Sequence, residues 1–311
     1  MRLGFVIPTY PGEKRVALLP EDIDNFENEL LLEHGFGQAM GISDAVYREK
    51  GCEFADRKDI FSLCDAVFCL KLLQETDYKY LRNGQMIIGW THPGGSGKNF
   101  YENVAIPMGL KIVDLDNIYP TLYVGEKRIP VSFLPKNFIW KNSLIAGTAS
   151  VQHALLACGM LPDSNTKVAV LGNGNVSQGA YNYMAKLNTD IRMFYRKTLD
   201  DFYKSMDSYD IIINGIEVDG SVKHIMTKEH LDRLKKGCLV IDAAADAGNA
   251  IEGTHYTSID SPVYEDSGIL FYEVNNAPSL LYRVASREIS QSFSRMIYKY
   301  DVKRFFELIK P

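Results

Sequence analysis

Residues 167–197, KVAVLGNGNVSQGAYNYMAKLNTDIRMFYRK, leave a chain few folds to choose from. Val168, Ala169, Val170 and Leu171 form an apolar run without polar alternation, the pattern of a strand buried on both faces of a parallel sheet. Gly172-Asn173-Gly174 makes a tight turn, and the small residue Ser177 occupies the third position of a G-x-G-x-x-G pattern. Ala180, Tyr183, Met184 and Leu187 then recur at helical spacing. The start of such a helix presents unpaired N–H groups and the positive end of its dipole, which suits a pyrophosphate. Residues 191–195 read as the next strand. The spacing therefore predicts a strand-turn-helix-strand unit holding a dinucleotide, with Gly172, Gly174, Asn175, Val176 and Ser177 in the cradle and Gly215 at the end of a later strand.

The end of the second strand bears on the choice of cofactor. NAD sites usually carry an acid about 20 residues after the first glycine, to bind the ribose hydroxyls. Here that place holds Tyr195-Arg196-Lys197 and no acid. Two cations would attract a 2′-phosphate, so NADP(H) is expected, bound through Arg196 and Lys197; a solvated strand end is the plainer alternative.

The 311 residues suffice for two domains with their own cores. A net charge of -5 argues against a nucleic-acid partner. No apolar run has the length of a membrane span, and the proline-broken start, MRLGFVIPTYPGEKR, does not read as a signal peptide. Cys52, Cys64, Cys69, Cys158 and Cys238 show no metal-ligand spacing, and read as reduced thiols of a cytoplasmic protein.

Apolar runs at 3–7, 30–32, 65–70, 85–89 and 111–115 predict strands ahead of the dinucleotide unit, with a further short one at 122–124. Helices are expected from Pro20, from Ser43, and over 77–81 and 149–159. Beyond residue 197 the pattern continues with helices at 199–205 and 228–234 and strands at 209–215 and 238–242. Residues 280–308 read as a final helix packed on the first domain. The predicted fold is α/β, two Rossmann-like domains with parallel sheets and an active-site cleft between them. Residues 1–139 with 278–311 would form a discontinuous substrate domain, and 140–277 the NADP-binding domain.

Arg15, Lys71, His92 and Asp246 each stand at the end of an apolar strand or in the loop after one, where α/β enzymes collect catalytic groups. Each has a plainer reading: a surface charge for Arg15 and Lys71, a structural histidine, a solvated loop carboxylate. The run Gly94-Gly95-Ser96-Gly97-Lys98 fails the phosphate-loop pattern, because His92 stands at its first position and Asn99 follows the lysine. A mobile cover over the site suits it better.

Nearly end to end, the chain resembles the alanine dehydrogenase family, which includes lysine-forming saccharopine dehydrogenase and part of transhydrogenase. Glu13-Lys14-Arg15-Val16-Ala17 resembles the family segment whose arginine binds the pyruvate carboxylate, and Leu70-Lys71-Leu72 the one whose lysine helps bind pyruvate. Gly89-Trp90-Thr91-His92 resembles the strand end bearing the catalytic histidine, and the segment from Asp242 to Gly248 places the catalytic acid at Asp246. Asn276-Ala277-Pro278 resembles the family's N-M-P turn, with Arg283 downstream; Asn276 and Arg283 become substrate-binding candidates. GEKRVALLP, GQMIIGWTHPGGSG, LGNGNVSQGA and DAAADAGNAIEG are most similar to members that use NADPH to couple pyruvate reductively to the side-chain amine of ornithine, or in some cases lysine. The resemblance implies His92 as general acid and base, Asp246 orienting it or stabilising the iminium cation, and a homo-oligomer, dimer or tetramer. An alanine dehydrogenase-like or saccharopine dehydrogenase-like activity is the alternative, and a non-catalytic NADP sensor a third.

Overall fold

The computed structural model describes residues 1–116, 118–218, 221 and 223–310. They form two compact units, Met1–Ile139 with Tyr282–Pro311, and Trp140–Leu281. Among the described residues no helix is long and apolar enough to cross a membrane.

The first unit is built on strands β1 (Arg2–Phe5), β2 (Glu29–Glu33), β3 (Glu53–Ala55), β4 (Ala66–Cys69), β5 (Met86–Gly89), β6 (Lys111–Asp114), β7 (Thr121–Val124) and β8 (Lys127–Pro130). Their order is β3-β2-β1-β4-β5-β6-β7-β8. The pairings from β3 through β6 are parallel, and β4 and β5 are buried throughout. The far edge departs from the all-parallel expectation, because β7 and β8 pair antiparallel. A two-residue turn with Gly125 at φ 56° joins them, the left-handed backbone such hairpins require. Helices α1 (Asp44–Arg48), α2 (Arg57–Leu63), α3 (Glu75–Tyr78) and α4 (Lys98–Phe100) lie between the strands; the helix expected at Pro20 is one 3-10 turn.

One ionic network ties the carboxyl ends of β1 and β2 to α3. Arg57 donates to both carboxylate oxygens of Asp77 at 2.7 and 2.9 Å, to Glu33 at 2.7 Å and to the Ile7 carbonyl at 2.8 Å. Glu33 in turn accepts the Ile7 N–H at 2.7 Å. The loop that carries Arg15 therefore leaves β1 from a fixed point.

In the second unit come α5 (Trp140–Ala157), β9 (Lys167–Leu171), α6 (Asn175–Ala185), β10 (Asp190–Phe194), α7 (Leu199–Ser205) and β11 (Ile211–Asn214). They are followed by α8 (Lys228–Leu231), β12 (Leu239–Asp242), β13 (Val263–Asp266) and β14 (Ile269–Tyr272). The order β10-β9-β11-β12-β14-β13 is parallel apart from the edge strand β13. Strand order reverses at β9, and the end of that strand is where such sheets bind ligands. α5 begins at Trp140, well before the expected 149, and it is held by backbone proximity. A Cβ on Gly147 would collide with the Val176 carbonyl, and one on Gly179 with the Leu144 carbonyl. Thr148 Oγ1 donates to the Gly179 carbonyl at 3.1 Å across the same crossing.

The chain then returns to the first unit through α9 (Tyr282–Phe293) and α10 (Lys303–Glu307). The single helix expected over 280–308 is interrupted. A π-turn at Ser294–Tyr298 and a break before α10 let Tyr298 enter the core, edge-on to Phe5 and Phe68 at 4.9 and 5.1 Å between centroids. Asn28, nearly buried, satisfies the opened backbone: its amide donates to the Tyr298 and Tyr300 carbonyls and its oxygen accepts from Val302 N–H.

Candidate active site

Arg15, Lys71 and His92 share an electrostatic cluster at the carboxyl edge of the first sheet. The loop bearing Arg15 is stapled to α9 by two buried serines one helical turn apart, Ser286 accepting Val16 N–H and Ser290 accepting Leu19 N–H, both at 2.8 Å. Arg15 is 3% exposed. Its Nε and Nη2 reach the two oxygens of Glu13 at 2.8 and 2.5 Å, and its guanidinium lies 4.7 Å above the Trp90 ring. Glu13 thus fixes one edge of the guanidinium. Burial alone would raise the Glu13 pKa, but Arg15 and then Lys71 outweigh it and hold the carboxyl below its ordinary range.

Lys71 follows β4, with Nζ 5.3 Å from the centre of the Tyr10 ring. Burial, reinforced by Arg15, lowers its pKa against the opposing pull of Asp116 and Glu13. A lysine in that state gives up its proton more readily than a solvated one.

His92 sits three residues beyond the last paired residue of β5, at φ 44°, a left-handed conformation uncommon outside glycine. Its Nε2 is bonded to Asp116 Oδ2. Burial disfavours the imidazolium, but Asp116, and behind it Asp114, more than compensate, so the His92 pKa is raised. The same pairing, against burial, depresses Asp116. Asp114 is fully buried and accepts the Thr91 and His92 N–H groups at 3.1 and 3.3 Å, anchoring the strand end. Burial first, then repulsion from Asp116, raise its pKa. Glu13, Asp114 and Asp116 were not singled out in the sequence. The motif Asp114-Leu115-Asp116, alternating acids at the end of a buried strand, was the available signal.

Within the first unit the acid that contacts His92 is Asp116. Asp246 belongs to the second unit, in the turn after β12, where the Tyr256 hydroxyl donates to it at 3.5 Å. The residue before it, Ala245, has φ 53°. Asn276 is 4% exposed and heads the 3-10 turn Ala277–Leu281 in that same unit. Arg283 is exposed on α9 with its guanidinium 5.4 Å from the Tyr282 ring, so it does not join the buried Arg15 cluster. The glycine run after His92 forms closed turns, Gly95 and Gly97 both donating to the His92 carbonyl at 3.0 and 2.9 Å, and a Cβ on Gly97 would collide with the Thr91 carbonyl.

The second unit has the form a dinucleotide cradle requires. Gly172, at φ 100°, turns the chain out of β9, and a Cβ there would press on Ser177 and Ile216. Gly215 likewise has no room for a side chain beside Ser177. Ser177, fully buried, donates its hydroxyl to the Leu171 carbonyl at 3.0 Å, bonding α6 directly to the strand where a glycine would only allow close approach. Gly174 is the N-cap of α6 and faces open space, which leaves the helix start accessible to a phosphate. Arg196 and Lys197 are exposed just past β10, and Arg196 is tethered to the Glu217 carbonyl at 2.9 Å.

Comparison with known proteins accords with this arrangement. Residues 8–118 match the N-terminal domain of alanine dehydrogenase/PNT, and residues 146–310 its C-terminal domain. A Clostridium botulinum protein named N(5)-(carboxyethyl)ornithine synthase is 52% identical over 309 residues, covering 99% of this chain and 98% of that one. One of the same name from Lactococcus lactis subsp. lactis is 50% identical over 311 residues, with 100% and 99% covered. A solved structure of L-alanine dehydrogenase aligns with a TM-score of 0.77 at 18% identity, covering 96% of this chain and 89% of that one. The chain belongs to the alanine dehydrogenase/PNT family, and within it is similar over its whole length to enzymes named N(5)-(carboxyethyl)ornithine synthase.

Proposed function

We propose that this chain reductively condenses pyruvate with the side-chain amine of ornithine, or of lysine, using NADPH. The observation that carries the reading is the Arg15, Lys71, His92 and Asp116 cluster, in a chain half identical to named synthases throughout its length. Nicotinamide-dinucleotide dependence is the rule in the alanine dehydrogenase/PNT family, and the glycine cradle fits such a group. Residues 1–139 with 278–311 would bind the substrates, and residues 140–277 the dinucleotide.

Arg15, braced by Glu13, binds the pyruvate carboxylate. Lys71 polarises the keto oxygen, and the neutral side-chain amine adds to the carbonyl carbon. His92, supported by Asp116, gives the proton with which the carbinolamine hydroxyl leaves as water, producing an iminium ion. Bound NADPH would supply a hydride for the iminium carbon, leaving a secondary amine that carries the new carbon–nitrogen bond. Asp246 is assigned to stabilising the iminium charge, Asn276 and Arg283 to the amino-acid substrate. Gly172, Gly174, Asn175, Val176, Ser177 and Gly215 would hold the pyrophosphate region, and Arg196 with Lys197 the 2′-phosphate. A homo-oligomer, dimer or tetramer, in the cytoplasm is the expected setting.

The test is NADPH oxidation with pyruvate plus ornithine, beside pyruvate plus ammonia. Turnover that requires ornithine or lysine is expected. Turnover with ammonia alone would move the chain to an alanine dehydrogenase-type reaction.

A further inference from the structure

Two buried acids in the second unit have no part in the mechanism above. Asp242 ends β12 and Glu273 directly follows β14. The two strands are parallel with Ile241 opposite Tyr272, so Asp242 and Glu273 are the next neighbours along the carboxyl edge. They are 0% and 1% exposed. Asp242 Oδ1 accepts from Asn214 Nδ2 at 2.9 Å and from Ala244 N–H at 3.1 Å. Asp242 Oδ2 and both oxygens of Glu273 have no hydrogen-bond partner among the described residues. The Thr254 hydroxyl lies against Glu273 but directs its proton to the Ile251 carbonyl at 2.9 Å.

A buried, unpaired carboxylate is costly, and two side by side are costlier still. The charged and titratable groups that act on Glu273 are Asp242 from β12 and Asp246 from the turn after it; Tyr264 from β13 feels Glu273 in turn. Among the described residues no cation acts on either acid, so no ion pair relieves the pair. A shared proton does. If Glu273 is a neutral acid, its O–H meets the second oxygen of Asp242, and the first oxygen stays committed to Ala244.

We propose that Glu273 and Asp242 share one proton, and that this pair is a positioning device for the strained Ala245-Asp246 turn. Asp242 grips the turn through Ala244 N–H, and Glu273 supplies the one donor that lets Asp242 remain a buried carboxylate. Burial pushes both groups up, with repulsion from Asp246 added at Asp242 and from Asp242 at Glu273, which reaches about 9. A folded pKa above the unfolded value of 4.5 means that the linked stability is complete below about 4.5. It is lost as pH rises through the folded value, here across roughly pH 5–9.

The test compares the full-length chain with Glu273→Gln, whose amide can still donate to Asp242 but does not titrate, and with Glu273→Ala, which cannot donate. Thermal unfolding of the ligand-free protein is followed from pH 5 to 9. Wild type should lose stability relative to E273Q as pH rises, with a folding equilibrium falling by up to about tenfold per pH unit. Parallel curves would overturn the shared proton whether or not E273A folds, and without reference to the reaction. The effect on turnover rests on the proposed synthase activity. There E273Q should keep kcat within about threefold, while E273A loses at least about tenfold with little change in NADPH affinity. An E273A enzyme with wild-type kcat would overturn the positioning role.

Discussion

Asp116→Asn isolates the support given to His92 while removing a single charge. Burial and Lys71 oppose the proton on His92, and Asp116 is the leading group that favours it. A hydrogen bond to a charged partner contributes about 1.5–3 kcal/mol. The His92 side chain is 38% exposed, so solvent screening favours the lower end. In D116N the His92 pKa, now raised, should therefore drop. Water loss from the carbinolamine uses the imidazolium, so activity falls as pH climbs through the His92 value. The alkaline limb of the kcat/KM profile for NADPH oxidation with pyruvate and ornithine should then move to lower pH. Lost orientation of the ring adds to this, for a total loss near pH 8 of about 10²-fold. Stability gives an independent sign: the protonated pair stabilises the fold below about 6.5 and that contribution is lost as pH rises through the raised value, so the Tm deficit of D116N should shrink toward alkaline pH. An unmoved limb in D116N, with turnover abolished in His92→Ala, would remove Asp116 from the mechanism.

Replacing Arg196 and Lys197 together with alanine should weaken NADPH binding by at least about tenfold and leave NADH nearly unchanged, which fluorescence titration of both nucleotides reads directly. Equal losses would mean that neither cation meets a 2′-phosphate. Gly179→Ala places a methyl group against the Leu144 carbonyl at the α5–α6 crossing and should cost about 1–3 kcal/mol, seen as a lowered Tm. A Tm equal to wild type would show that the two helices are not held in backbone contact.

Legibility followed burial. The segments DAVFCL, QMIIG and CLVID are enclosed on both faces and their apolar runs announce it. β3, β8 and β13 went unread because they lie at sheet edges, with side chains largely open to solvent. The first turns of α5 carry Lys141, Asn142 and Ser143 and no apolar stripe; the helix is fixed instead by Gly147 and Gly179, a contact between distant residues that no local period can report. Arg15, Lys71 and His92 could be picked out because each stands at the end of an apolar strand or in the loop after one. Their partners were harder: Glu13 differs little from any loop acid, and Asp116 meets His92 only because β5 and β6 are neighbours in the sheet. Arg283, spaced from its motif as the sequence suggested, is carried on the exposed face of α9.

The return of the chain to its first unit has a consequence for how the protein is made. Phe68 and Trp90 pack edge-on against Phe293, and Phe5 against Tyr298, so a central part of that core arrives in the last tenth of the sequence. The second unit, by contrast, is continuous from Trp140 to Leu281. On the ribosome the later-made unit can close first, while the earlier one waits with an uncovered aromatic face. At about 5–20 residues per second that wait lasts on the order of ten seconds or more. A nascent chain halted before α9 would hold a finished second unit and an open first one, so chaperone demand should peak late in translation and fall once Tyr298 has emerged.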